Sequence, residues 1–133
     1  HRAAHEALAA DDLPGAVSAW EAALADSPAD AVAQQGLSAA RLMLRTRDAD
    51  AAAVRAAAAD GPDDVAAQLA VADLDVLGGH VEDAFARLVR FIALHPGDDR
   101  ETARAHLVDL YTVVGTDDPR VQASRRRLAA ALF

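Results

Sequence analysis

The stretch PDDVAAQLAVADLDVLGGHVEDAFARLVRFIALHP, residues 62–96, decides the fold of this chain. It starts and ends with a proline, and a Gly-Gly pair separates two runs of helix-forming residues within it. Pro28 lies 34 residues before Pro62, and Pro62 lies 34 residues before Pro96. A constant spacing of this length indicates a repeat in which each unit is one pair of helices.

Other columns keep the same spacing. Eight residues before each proline stands a large apolar residue, and two columns of small residues lie twelve and 24 residues before it, with one departure at Asp50. Small residues let helices approach closely, while large apolar residues fill the gap between pairs. The columns hold Trp20, Val54 and Leu88; Ala16, Asp50 and Ala84; and Ala4, Ser38 and Ala72. The pattern resembles the tetratricopeptide repeat.

The apolar periodicity and the turn residues predict eight helices and no strand. We expect an all-α, tetratricopeptide-like helical-repeat solenoid of about four antiparallel helix pairs, forming a single domain over residues 1–133. The predicted helices are 1–10 and 14–26, 29–46 and 49–60, 63–78 and 81–95, and 99–114 and 118–132. The first helix of each pair would line a concave surface.

Charge is distributed unevenly along the chain. The net charge is −8, yet the last fifteen residues, 119–133, carry four arginines and no acid. The acidic remainder disfavours nucleic acid as a partner, and acids at predicted helix starts are best explained as helix caps. Because no long apolar run or signal peptide is present, we predict no membrane partner and a cytoplasmic location. The helical start without methionine suggests the C-terminal fragment of a longer protein.

Catalytic and metal-binding patterns are weak. Cysteine is absent, and no serine has a plausible histidine partner. His1 and His5 lie one helical turn apart and would suit a metal, but a frayed terminus explains them better. We therefore predict no enzyme activity, no cofactor and no metal.

Peptide binding in the concave groove is the expected activity of this architecture. The second pair would contribute Gln35, Ala39, Leu42 and Met43, and the third Leu69, Asp73, Val76 and Leu77. Such a groove suits exposed hydrophobic segments; the alternative places Met43 and Leu77 in the core. At a further column, we hypothesise an ion pair between Arg41 and Asp75, with solvent exposure of both as the alternative.

The last helix is a second candidate. A run of three arginines leads into an apolar end that closes with Leu132 and Phe133. These side chains either cap the core or dock in a partner's groove.

Residues 97–133, GDDRETARAHLVDLYTVVGTDDPRVQASRRRLAAALF, resemble the C-terminal end of the CnoX (YbbN) family of chaperedoxins. The resemblance rests on a shared order of residues, from an arginine followed by an apolar and aromatic stretch to a closing Leu-Phe. These are Arg104, Leu107, Val108, Asp109, Leu110, Tyr111, Gly115, Asp118, Pro119, Val121, Arg126, Arg127, Leu132 and Phe133.

The resemblance implies an upstream thioredoxin-like domain and a co-chaperone that holds unfolded client proteins. It also implies docking on the chaperonin GroEL, transfer to the DnaK system, and a docking role for Arg126, Arg127, Leu132 and Phe133. Two alternatives remain. One is a regulatory or oligomerisation module of a bacterial transcriptional activator, and the other is a self-associating adaptor solenoid that forms a homo-oligomer.

Overall fold

A computed structural model describes residues 1–133 and contains eight α-helices and no strand. This confirms the all-helical fold class, and every predicted helix boundary lies within two residues of the observed one. The helices are α1 (Arg2–Ala9), α2 (Leu13–Asp26), α3 (Ala31–Thr46), α4 (Ala51–Asp60), α5 (Val65–Leu77), α6 (Val81–Leu94), α7 (Asp98–Val114) and α8 (Pro119–Leu132).

Aspartates begin five of these helices. In each case the side-chain carboxylate accepts a hydrogen bond from a backbone N–H group in the first helical turn, which satisfies one of the donors that a helix start leaves free. The capping residues are Asp12, Asp30, Asp50, Asp64 and Asp118. The capping role predicted for much of the acidity is therefore confirmed.

Residues His1–Asp48 form one compact unit, built from α1, α2 and α3. Trp20 fills its core among small side chains, which include Ala4, Ala16 and Ala33. The indole ring lies directly against the backbone of α3 at Gly36, where a Cβ atom would come within 2.3 Å of the ring. One large side chain surrounded by alanine and glycine thus holds three helices together.

Residues Ala49–Phe133 form the second unit, with α4 to α8. Here α5 and α6 pack together, and both contact α7. The core is larger than that of the first unit and contains fully buried aliphatic and aromatic side chains, among them Val71, Leu88, Ile92, Leu107 and Tyr111.

The repeat columns occupy the packing positions expected of them. Ala16 and Ala84 are buried, as are all three residues of the other small column, Ala4, Ser38 and Ala72. Asp50 departs because it is the residue that caps α4, with its carboxylate accepting from the N–H groups of Ala52 and Ala53. The second helix of that pair therefore begins later than its counterparts α2 and α6.

Candidate protein-interaction surfaces

The C-terminal helix α8 is anchored along one face. Val121 and Ser124 are buried where α8 packs on α6, and the Ser124 hydroxyl lies 2.6 Å from the Tyr111 hydroxyl of α7. At its start, the Asp118 carboxylate accepts from the backbone and side chain of Arg120. These bonds lower the pKa of Asp118 to about 2.

The three consecutive arginines of α8 differ in their surroundings. The Arg125 guanidinium lies 5.5 Å from the centre of the Tyr111 ring, a cation–π contact that ties it to α7. Arg126 and Arg127 are exposed, and neither makes an ion pair or hydrogen bond with another side chain. Beyond them Leu132 is half-buried, whereas Phe133 is fully exposed. The solvent-facing part of α8 is therefore basic at one point and aromatic at its end.

Most of the C-terminal residue pattern quoted above has a structural role. Leu107, Leu110, Tyr111 and Val121 are buried, while Gly115, Asp118 and Pro119 form the turn and the cap between α7 and α8. Burial also raises the pKa of Tyr111, because it disfavours the charged form. Folding alone accounts for these residues, so Arg126, Arg127 and Phe133 are the members of the pattern left for a partner.

In the first unit, the groove residues predicted from the sequence separate into two groups. Leu42 is buried in the fold and Ala39 is half-buried. Gln35 and Met43 are exposed, Met43 by 41%. The alternative that placed Met43 in the core is therefore wrong.

In the second unit, Asp73 and Val76 are buried and Leu69 is half-buried. The Asp73 carboxylate lies 2.7 Å from Nε2 of His106 on α7, so this acid is an internal hydrogen-bonding group. Leu77 is exposed by 48%, which excludes the alternative that assigned it to the core. The surface open to a client thus contains fewer residues than the sequence predicted.

The hypothesised ion pair between Arg41 and Asp75 is wrong, because each side chain has a different partner. Asp75 is buried and accepts from Arg55 at 2.9 Å, whereas Arg41 lies 3.7 Å from Glu21. The solvent-exposed alternative is correct for Arg41 alone. The partner of Asp75 lies on α4, the helix that precedes its own, rather than on α3.

The N-terminal histidines are part of the packing around Trp20. The ring centres of His1 and His5 lie 5.1 and 5.7 Å from the indole ring, and Nε2 of His1 lies 2.6 Å from the Asp30 carboxylate. No group of three or more side chains suited to a metal ion is present in the structure. The terminus is therefore a packed element, in contrast to the frayed one predicted.

Sequence reasoning missed the polar side chains between α4, α5 and α6. Gln68 is buried there, and Arg87 and Arg90 lie one helical turn apart on α6. Two arginines at this spacing, each followed by an apolar residue, were a visible signal. Its meaning depended on which face of α6 lies open.

The architecture defines a class: a helical-repeat module that contacts other proteins through its surfaces. The family model described as tetratricopeptide repeat matches residues 44–133, which are 90 of the 133 residues. The chain therefore belongs to the tetratricopeptide-repeat family, whose domains are interaction modules. No helix is long and apolar enough to cross a bilayer.

The chain is also similar to curated proteins of mycobacteria. Uncharacterised proteins of Mycobacterium bovis and of two Mycobacterium tuberculosis strains are each 31% identical over 132 residues. The match covers 98% of this chain but only 42% of each relative's length. No solved structure matches the chain.

Proposed function

We propose that this chain is the protein-interaction domain of a bacterial co-chaperone that docks on GroEL through α8. The observation that carries the proposal is the outer face of α8, where Arg126, Arg127 and Phe133 are exposed without a partner. A fully exposed phenylalanine beside two cations is unfavourable for a surface with no binding role. The resemblance to chaperedoxins supports the choice of partner.

The proposal includes client binding by exposed apolar side chains. Met43 in the first unit and Leu77 in the second are the predicted groove residues that solvent reaches most easily, and Gln35 is exposed as well. Side chains of this kind suit the apolar segments of an unfolded protein. Transfer of clients to the DnaK system is part of the same proposal.

The parent protein would carry a thioredoxin-like domain before these helices and work in the cytoplasm. The curated relatives are more than twice as long as the matched region, which leaves room for another domain in proteins of that kind. The sequence of the full gene tests this part directly. A DNA-binding domain in that position would instead favour the transcriptional activator.

The decisive experiment measures binding of purified GroEL to the immobilised chain by biolayer interferometry. We expect saturable binding that is lost when the chain ends at Arg127. Because Leu128 and Leu132 are half-buried, truncation also disturbs packing. Two point variants therefore decide the result: Phe133→Ala, and the double variant Arg126→Glu with Arg127→Glu.

The matched control is Val32→Ala, which removes an exposed apolar side chain from the first unit. It should leave GroEL binding unchanged while Phe133→Ala weakens it. No binding by the intact chain would contradict the proposal. Sedimentation showing a stable dimer that Phe133→Ala dissociates would assign α8 to self-association instead.

Client binding is tested by the suppression of light scattering from a chemically denatured reporter protein. We expect Met43→Ser and Leu77→Ser together to reduce the protection, because both changes remove exposed apolar surface. The combination should leave GroEL binding intact, since it does not alter α8. Full protection by the double variant would exclude these residues from the client surface.

A further inference from the structure

A cleft lies between α4 and α6, the second helices of the second and third pairs, which both pack on α5. Its volume is about 290 Å³, and it adjoins a more polar depression of about 470 Å³. Arg87 and Arg90 line both depressions. The two together form one continuous groove along α6.

The smaller depression has an apolar wall. Leu94 is 69% exposed, and Phe91 stacks on the His95 ring with the ring centres 3.8 Å apart. On the opposite side, α4 contributes Ala58 and Ala59, whose short side chains leave the cleft open. This cavity has room for one large apolar side chain.

The charges around the cleft do not cancel. The Asp63 carboxylate lies 2.8 Å from Nε2 of His95, and Asp75 is paired with Arg55. Asp83 lies in the first turn of α6, where the positive end of the helix dipole stabilises an acid. Arg90 makes no ion pair or hydrogen bond, and no carboxylate lies at bonding distance from Arg87. Positive charge is therefore in excess in a chain whose net charge is −8.

Gln68 fixes one of these cations in place. Its buried side chain donates from Nε2 to the backbone oxygens of Ala58 and Gly61, at 3.0 and 3.1 Å. Its Oε1 accepts from Arg87. The Arg87 guanidinium is thus held by a neutral acceptor on the floor of the cleft, which reduces the entropy lost when it binds a ligand.

We propose that this cleft binds an acidic segment of a partner protein in which carboxylates flank one large apolar side chain. The apolar side chain enters the depression between Phe91, Leu94 and the alanines of α4. The flanking carboxylates pair with Arg87 and Arg90, which present donors suited to carboxylate oxygens. The site is separate from α8 and does not depend on GroEL docking.

The test is fluorescence polarisation with the intact chain and a short fluorescein-labelled peptide. The probe carries one Leu flanked on each side by a pair of Glu residues in a Gly-Ser background, and the control peptide has Gln in place of each Glu. We expect saturable binding of the acidic probe that weakens as salt is added, because the ion pairs are partly exposed. The control peptide should bind at least about tenfold more weakly.

Charge reversal locates the site. Arg90→Glu should lower the affinity for the acidic probe at least about tenfold, because it replaces attraction with repulsion. Leu94→Ala should weaken binding through the apolar contact. Arg2→Glu is the control: it makes the same change in net charge at a highly exposed residue outside the cleft, and affinity should change by no more than about twofold.

Equal binding of the acidic and control peptides would overturn the proposal. So would an Arg90→Glu variant that binds the probe like the unaltered chain. If a single-stranded oligonucleotide displaces the probe at lower concentration than the unlabelled peptide does, the cleft is a phosphate site and the proposal fails. Because α8 is unchanged in Arg90→Glu, the loss of GroEL binding in that variant is not expected.

Discussion

Trp20 and Gly36 show how one residue limits another in this fold. The indole ring is buried against the α3 backbone, and its Nε1 atom has no hydrogen-bond partner. The space that glycine leaves at position 36 is filled by the ring. A glycine inside a helix usually weakens it by about 1 kcal/mol relative to alanine, so this one is retained for packing.

Gly36→Ala should therefore destabilise the chain, although alanine favours helix. The added Cβ would clash with Trp20, and overpacking of this kind costs about 1–3 kcal/mol, against a gain of about 1 kcal/mol in propensity. Thermal denaturation followed by circular dichroism measures the effect. In a Trp20→Phe background the same change should cost less, and equal costs in the two backgrounds would exclude the clash as the cause.

His95 makes stability depend on pH. Its ring bonds to Asp63 through Nε2 and to the Phe91 carbonyl oxygen through Nδ1, and these bonds raise the pKa of His95 above 6.5, with a smaller contribution from Asp99. A raised pKa in the folded state means that the charged ring favours folding. The contribution is complete below pH 6.5 and is lost as the pH rises through the folded-state pKa.

Asp63→Asn should lower the melting temperature more at about pH 5.5 than at about pH 8.5, because the imidazolium is present only at the lower pH. Differential scanning fluorimetry across this range measures the difference between the variant and the unaltered chain. Asp26→Asn, at an exposed aspartate near the end of α2, should show no such trend. A difference for Asp63→Asn that is the same at both pH values would rule out the ion pair as its origin.

At the scale of the element, α4 depends on its cap. Seven of its ten residues are alanine, and Ala58 is its one buried residue. Such a helix gains little from packing, so its N-terminal hydrogen bonds matter more to its stability. Asp50 provides two of them.

Asp50→Ala would restore the small residue that the repeat has at this column, yet it should destabilise the chain by about 1 kcal/mol because the cap is lost. Urea denaturation monitored by circular dichroism gives the change in the free energy of unfolding. Asp48→Ala removes an exposed acid two residues earlier and should change this free energy little. If Asp50→Ala raises stability, packing at this column outweighs capping.

At the scale of the whole molecule, the two compact units differ in size and in core. Residues 49–133 number 85 and contain many large buried side chains, whereas residues 1–48 depend on Trp20 surrounded by alanines. Chains below about 50 residues seldom bury enough surface to fold without a disulfide or a metal.

The isolated segment 49–133 should therefore fold into a helical structure that melts cooperatively, while segment 1–48 should not. Far-ultraviolet circular dichroism with thermal denaturation of the two purified segments makes the comparison. The intact chain is the reference for helix content. A cooperative transition in the isolated segment 1–48 would show that the packing around Trp20 is sufficient by itself.

The sequence by itself determined the eight helices, their caps and the family. These depend on local signals, namely prolines at a fixed spacing, aspartates at helix starts and apolar periodicity, and each acts over a few residues. The column that holds Trp20 and Leu88 was likewise readable, because both are buried where the repeat requires it.

Only the tertiary structure decided which side chains remain open. It buries Leu42 and Asp73, exposes Met43 and Leu77, and ties Arg125 to Tyr111 while leaving the next two arginines free. Solvent exposure and ion pairing depend on neighbours supplied by other helices, so residues of the same type on one helix can differ completely. The cleft of Arg87 and Arg90 arises from α4, α5 and α6 together, and no local pattern encodes it.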